Sequence, residues 1–353
     1  MRLQDLFAID LPIIQAPMAG VQDVELTLAV CKAGGLGSLP CAMLSSEDLY
    51  QSLKALSNKT NNPFNVNFFC HSAPVIDADR ESIWRQTLQP YFEQYQINPN
   101  NIMEGAIRQS FNAEALATLK EFKPKVVSFH FGLPAADIIA ELKSFGATIL
   151  ASATTVEEGL WLEANGADAV IAQGLEAGGH RSIFLTDDPC EKIPYQVGTF
   201  ALIPRMVQAL SIPVIAAGGI TDSKAVAAVL SLGAIAAQIG TAYLLCDEAK
   251  TSSLHREALK KVSNETDQEQ TVITNVFTGR PARAIVNRLI TEVGPVTNSA
   301  PMFPLAASAV SALRKKAEQA GRNDFTPMWS GQNAQGCKEI SASKLTRLLA
   351  ADV

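Results

Sequence analysis

Eight short apolar runs recur along the chain: Pro12–Met18, Leu36–Leu39, Phe64–Phe69, Val126–His130, Thr148–Ser152, Ala169–Gln173, Pro213–Ala217 and Ala236–Gly240. Each is nearly continuous in apolar residues, which is the pattern of a strand buried on both faces. Helical periodicity fills the intervals, at Val24–Ala33, Glu47–Leu56, Ala113–Phe122, Ala135–Phe145, Val156–Asn165, Phe200–Leu210 and Ser223–Leu232. The third unit is lengthened by an insertion at about Cys70–Asn112, with a helical stretch Ile83–Tyr95 inside it, and the eighth run leads into Ala242–Ala249.

Eight strand–helix units with buried strands predict parallel pairing covered by helices, and eight is the number that closes a (β/α)8 TIM barrel. An open doubly wound sheet is the alternative. The barrel is favoured because no Gly-x-Gly-x-x-Gly follows the first strand. On this reading residues 1–249 form the barrel. Residues 250–320, polar at first over Asn264–Gln270 and then helical, form a small, mostly helical cap over its mouth. Residues 321–353 return to the barrel with a last helix, Ser343–Leu349.

Composition narrows the function. A chain of 353 residues that is 47% hydrophobic and 18% charged has a sizeable core. Its net charge of −6 and lack of a long basic cluster argue against a nucleic-acid partner. The six cysteines show no Cys-x-x-Cys spacing, so reduced cytosolic thiols are expected and no metal site. The start of the chain lacks the apolar core of a signal peptide, and a cytoplasmic location is expected. Ala225–Cys246 carries no charge over a length that could span a bilayer. Gly233, Gly240 and Gln238 break it, and it is read as a buried helix–strand unit.

In a barrel the working residues sit at the C-terminal strand ends. Polar and glycine-rich residues collect there: Ala16-Pro17-Met18, Asn67, His130, Gln173 to His180, Gly218-Gly219 and Gln238 to Thr241. The segment Gln173-Gly-Leu-Glu-Ala-Gly-Gly-His180 combines an amide, permissive turns and a group that titrates near neutrality. Gly218-Gly219 and Gly240-Thr241 occupy the last two strand ends, where such barrels bind phosphate, with Asp222 as the expected N-cap of the next helix. The amides of Asn67 and Gln173 match the alternating donors and acceptors of a flavin's pyrimidine edge, or else bond neighbouring loops. His180 is a candidate acid, base or hydrogen-bond donor. His130 lines either the pocket or the core, Glu176 caps or braces its loop, and His71 and His255 look ordinary.

These residues resemble the nitronate monooxygenases. The likeness is carried by the Gln173–His180 segment with Pro17-Met18, Ala217-Gly-Gly-Ile220 and Gln238-Ile-Gly-Thr241. Ser128-Phe-His-Phe-Gly132, Gly279-Arg-Pro-Ala-Arg283 and Trp329-Ser-Gly-Gln332 are similar to the class that acts on propionate 3-nitronate. The resemblance implies FMN and no metal. Asn67, Gln173 and Gly178 would contact the ring or ribityl chain. Gly218, Gln238, Ile239, Gly240 and Thr241 would hold the chain and phosphate, and His180 matches the catalytic histidine. His130 and Phe303 are expected at the substrate; Phe303, in Met302-Phe-Pro-Leu305, stands where the related class carries a tyrosine.

The implied reaction takes a small-molecule nitronate and O2. The nitronate gives one electron to FMN, leaving an anionic semiquinone, and oxygen carries it on to a carbonyl product with nitrite or nitrate, a detoxification. Arg181 and Arg283 are the cations nearest the motif that could meet a substrate carboxylate. The glycine–histidine segment is also similar to that of flavin-dependent enoyl reductases, so an NAD(P)H-dependent reductase is the rival enzyme. A non-catalytic FMN-binding protein is the rival of another class.

Overall fold

The computed structural model describes residues 3–102, 110–264 and 270–353; parts of the expected insertion and of the polar stretch Asn264–Gln270 of the expected cap lie outside these. Eleven strands run in chain order among the described residues: β1 Ile13–Gln15, β2 Gly37–Pro40, β3 Phe64–Phe69, β4 Val126–His130, β5 Thr148–Ala153, β6 Ala169–Gln173, β7 Gly179–His180, β8 Val214–Ala217, β9 Ala236–Ile239, β10 Thr271–Thr274 and β11 Ala282–Ile285. Eight of them pair in parallel in the order β1-β9-β8-β6-β5-β4-β3-β2. A parallel bridge between Ile14 and Leu36 joins the two ends, with Gln15 N–H donating to the Leu36 carbonyl and Leu36 N–H to that of Ile13, each at 2.9 Å. The sheet is therefore a closed barrel, a TIM barrel, as the eight apolar runs predict.

Side chains fill it. Ile14, Leu36, Val126, Leu150, Ile171 and Ile215 form one buried cluster with Leu6 and Phe7 of the first helix. That helix lies under the strand starts, where its Leu6 carbonyl accepts a hydrogen bond from Thr148 Oγ1 at 3.2 Å. A larger cluster packs the outer strand faces against the helices. The uncharged segment Ala225–Cys246 divides into the helix Ser223–Ser231, strand β9 and a 3-10 turn Thr241–Leu245, and no described helix is long and apolar enough to cross a membrane. Asp222 caps the helix Ser223–Ser231 by accepting from Ala225 N–H at 2.8 Å.

The segment expected to cap the barrel, mostly helical on the sequence reading, belongs to a second buried core in which sheet accompanies helix. Strands β10, β11 and β7 make a three-stranded antiparallel sheet. The helix Ala78–Gln94, from the insertion after β3, contributes Trp84, Leu88, Tyr91 and Phe92 to the same buried cluster as Leu313 and Ala317 of the helix Ala307–Gln319. The last helix, Ala342–Leu349, returns to the barrel, where Ser343 Oγ donates to the Ala29 carbonyl at 2.6 Å and Thr346 Oγ1 pairs with the Tyr243 hydroxyl at 2.8 Å.

Buried amides hold the barrel seam. Gln15 Oε1 accepts from Ser38 N–H at 3.0 Å, and Gln15 Nε2 donates to Gln22 Oε1 at 2.7 Å. Gln22 Oε1 also accepts from Met18 N–H at 2.8 Å, which fixes the turn after β1. A Gln15→Leu variant keeps the size of the side chain and strands these partners without water. It is expected to lose about 2–3 kcal/mol in denaturant unfolding, because unpaired buried donors bear their full desolvation cost.

Candidate active site

A cavity of about 310 Å³ opens at the C-terminal ends of the barrel strands. Asn67, His130, Gln173, Gly178, His180, Gly218, Gln238, Ile239, Gly240 and Thr241 all line it, with Ala16-Pro17-Met18 from the end of β1. Phe303 is not in the lining. Its ring packs against that of His180 at 5.4 Å between centroids, inside an aromatic group that also holds Phe69, His71 and Phe131.

The loop after β6 delivers His180. It carries irregular backbone into the interior, so each of its carbonyls needs a partner. Arg181 is wholly buried and donates from Nη1 to the Gly174 carbonyl and from Nη2 to the Gln173 carbonyl, both at 2.7 Å. Arg283 Nε donates to the Leu175 carbonyl at 3.1 Å. The Glu176 carbonyl accepts Gln332 N–H at 2.9 Å. Both guanidiniums are thus committed to the loop rather than left for a substrate carboxylate. Burial pulls the Arg181 pKa down to about 9, with the like charge of Arg283 adding to it, while Glu158 and Glu176 oppose the fall. Glu176 braces rather than reacts: its carboxylate accepts from Thr199 N–H and Oγ1 at 2.9 and 2.7 Å.

His180 itself is an edge residue of the cap sheet, paired with Ala282 across β7 and β11. Its carbonyl accepts two donors, Gln173 Nε2 at 2.9 Å and His130 Nε2 at 3.1 Å. Its ring Nε2 lies 2.9 Å from the buried hydroxyl of Thr278. Trp329 completes the wall, 5.2 Å from the His180 ring. Gln173 Oε1 accepts Ser182 N–H at 2.9 Å, so this amide is anchored at both ends. Asn67 Nδ2 donates to Ser128 Oγ at 2.9 Å.

Next to His130, Phe131 adopts a φ of +72°, a conformation that costs a non-glycine residue strain and that clusters at functional sites. Its N–H donates to Ser182 Oγ at 3.3 Å, and the Arg280 guanidinium sits 4.1 Å above its ring.

Two glycines of the lining pack tightly on neighbouring protein. At Gly178 a Cβ would fall 2.5 Å from Gly331 N, and at Gly218, where φ is +126°, 2.6 Å from Thr199 Oγ1. Gln238, also in the lining, has a buried Oε1 with no partner among the described residues. A lone acceptor beside a glycine-lined cleft fits a ligand rich in hydroxyl donors and ending in an anion.

The family model of nitronate monooxygenase matches residues 1–352. The chain belongs to the nitronate monooxygenase family. Among nitronate monooxygenases it is 42% identical to that of Paraburkholderia phytofirmans over 98% of this chain and 93% of the relative. It is 40% identical to that of Pseudomonas aeruginosa over 99% and 97%. The crystal structure of nitroalkane oxidase from Streptomyces ansochromogenes superposes with a TM-score of 0.89 at 39% identity, over 99% of this chain and 97% of that one. FabK from Thermotoga maritima is a more distant neighbour, with a TM-score of 0.72 at 26% identity over 99% and 94%.

Several residues of this nitronate monooxygenase site escaped the sequence reading. Thr278 precedes the Gly279–Arg283 motif, and its contact with His180 depends on a pairing nearly a hundred residues away. His255, with Lys250, Ser252 and Arg314, also lines the cavity. No local pattern marks it, since it lies in a polar helix, Ser253–Asn264.

Two of these histidines are neutral by burial. Burial pushes His130 down to about 3 and His255 to about 4. Unfolded, both return to ~6.5, so the unfolded chain binds the protons in between. Stability is therefore full above pH ~6.5 and falls as pH drops towards 4, by about 2 kcal/mol per histidine at pH 5. Denaturant midpoints at pH 8 and pH 5 should show this loss, and a His130→Gln variant should remove close to half of it.

Proposed function

We propose that the protein is an FMN-dependent nitronate monooxygenase that oxidises alkyl nitronates with O2, with propionate 3-nitronate as its substrate, in a cytoplasmic detoxification. The products are a carbonyl compound and nitrite or nitrate. One observation carries the reading. The His180 ring, fixed by Thr278 at 2.9 Å, faces a cavity shared with a glycine-built cleft and the orphaned oxygen of Gln238.

Gly218, Gly240 and Thr241 would hold the phosphate end of FMN, with Ile239 as the apolar floor. Gln238 Oε1 would accept a ribityl hydroxyl, and Asn67, Gln173 and Gly178 would border the ring. When bound, FMN supplies the electron transfer. The rest falls to side chains. A nitronate is already deprotonated at carbon, so no strong base is required. His180 orients its oxygens by hydrogen bonding, a preorganised electrostatic role, and with a neutral nitroalkane would take the carbon-bound proton. His130, neutral and donating to the His180 carbonyl, acts as a strut. Phe69, Phe303 and Trp329 keep water from the reacting atoms.

The test is anaerobic mixing of the purified yellow protein with propionate 3-nitronate. The bound flavin's visible spectrum should change at once, and admitting air should restore it with product formation. An unchanged spectrum with nitronate, together with bleaching by NADPH, would overturn the reading in favour of a reductase.

Two variants probe the ring. His180→Ala should lower kcat/KM about a hundredfold or more. Thr278→Val keeps the shape but removes the hydroxyl beside His180 Nε2, and should lower kcat about tenfold while costing about 1–2 kcal/mol of stability. Steady-state oxygen consumption beside thermal unfolding separates the two effects.

A further inference from the structure

After Trp329 the chain crosses the glycine loops of the cavity before it reaches the last helix. The crossing starts from a fixed point, since Trp329 pairs with Ala284 in an antiparallel bridge and Ile285 N–H donates to the Met328 carbonyl at 2.9 Å. Gly331 N–H then donates to Thr241 Oγ1 at 2.9 Å, and Gln332 N–H to the Glu176 carbonyl at 2.9 Å. Asn333 Nδ2 donates to the Gly219 carbonyl at 3.2 Å, and Cys337 Sγ to the Thr241 carbonyl at 3.1 Å. One segment thus ties together the loops after β6, β8 and β9, whose glycines border the proposed FMN cleft. We propose that this strap, Gly331–Cys337, positions the phosphate end of the cleft, with Gly331 N–H holding the Thr241 hydroxyl as a donor to a phosphate oxygen. The proposal rests on the FMN reading of the cleft.

The chemistry of the hydroxyl gives the direction. It has one proton and two lone pairs. Gly331 N–H occupies a lone pair, so the proton is turned away from the strap. Thr241 lines the cavity, and its Oγ1 donates to no acceptor among the described residues. The proton is therefore left for a ligand oxygen. An anionic oxygen suits it, because a hydrogen bond to an ionised acceptor is roughly twice as strong as a neutral one. Without Gly331 N–H the hydroxyl is free to rotate, and its orientation is then fixed only at a cost in binding.

Close packing holds the strap against the loops. A Cβ at Gly331 would fall 2.8 Å from the Glu176 carbonyl oxygen, and one at Gly336 would collide with Thr221. Glycine is what lets the backbones approach at both crossings. Asn333 is anchored at both ends of its amide, as its Oδ1 accepts Gln335 N–H at 3.3 Å. Gly331 and Asn333 also line the cavity beside Gly218, Gly219 and Thr241, so a shift of the strap is felt at the phosphate end.

The experiment titrates the full-length protein, freed of flavin, with FMN and with riboflavin, which lacks only the phosphate. Quenching of flavin fluorescence gives the two Kd values. Their ratio is the readout, because damage to the ring end or to folding weakens both ligands alike. The wild type should prefer FMN about a hundredfold or more. Thr241→Val and Gly331→Ala should each cut that preference about tenfold, and the double variant no further than the larger single loss, because both remove one interaction. Thr241→Ser should keep the preference. Asn333→Ala, which adds no clash, should cut it about threefold and gives the answer if Gly331→Ala fails to fold. A preference that survives in Gly331→Ala and Asn333→Ala, or losses that add in the double variant, overturns the positioning role and leaves FMN in the cleft. Variants that weaken FMN and riboflavin equally overturn it too, and make the strap purely structural. Equal affinity of the wild type for both flavins, or binding of neither, instead overturns the FMN reading and the strap with it.

Discussion

The site depends on satisfying the carbonyls of one irregular loop. Between β6 and β7 the chain crosses the protein interior without regular pairing, and an unpaired buried carbonyl there would cost more than any single contact returns. Two buried guanidiniums, Arg181 and Arg283, resolve this by donating to Gln173, Gly174 and Leu175. Burying those charges is itself costly, and Glu158 and Glu176 lie close enough to offset part of it. Glu158 in turn is satisfied by the backbone N–H groups of Thr154, Thr155 and Phe184. The loop is thus held by a charged network whose members are each paired, the condition under which buried charge is tolerated.

This network places His180 where two parts of the fold meet. Its backbone is a strand of the cap sheet, paired with Ala282, while its carbonyl takes donors from Gln173 and His130 at the ends of barrel strands. The ring is fixed by Thr278 from the cap. Barrel and cap therefore set different atoms of the same residue. Sites assembled on rigid elements gain precision this way, because neither part can shift without breaking a hydrogen bond.

The barrel was legible because its strands are buried on both faces and so read as continuous apolar runs, from Val126–His130 to Pro213–Ala217. Helix caps such as Asp222 were equally local. The cap was harder. Strand β7 has two residues, too few for any period, and its partner β11 is about a hundred positions away. The helix Ala78–Gln94 was visible as a helix, but not as part of the cap core, since only folding brings Trp84 beside the Ala306 carbonyl. Arg181 and Arg283 invited a substrate role because cations near a motif look available. Their burial and bonding follow from the loop's carbonyls, which no side-chain pattern records.

The histidines show the same division between residue type and environment. Sequence gives each of them a pKa near neutrality, and only packing separates their chemistry. His130 is dehydrated into a neutral donor and spends its N–H on the His180 carbonyl. His255 is dehydrated too, and its Nε2 has no partner among the described residues. His180 keeps a ring held by a hydroxyl, a partner that can give or take a proton. One side-chain type thus supplies a strut, a ring held at a hydroxyl and a buried neutral ring, and the packing around each decides which.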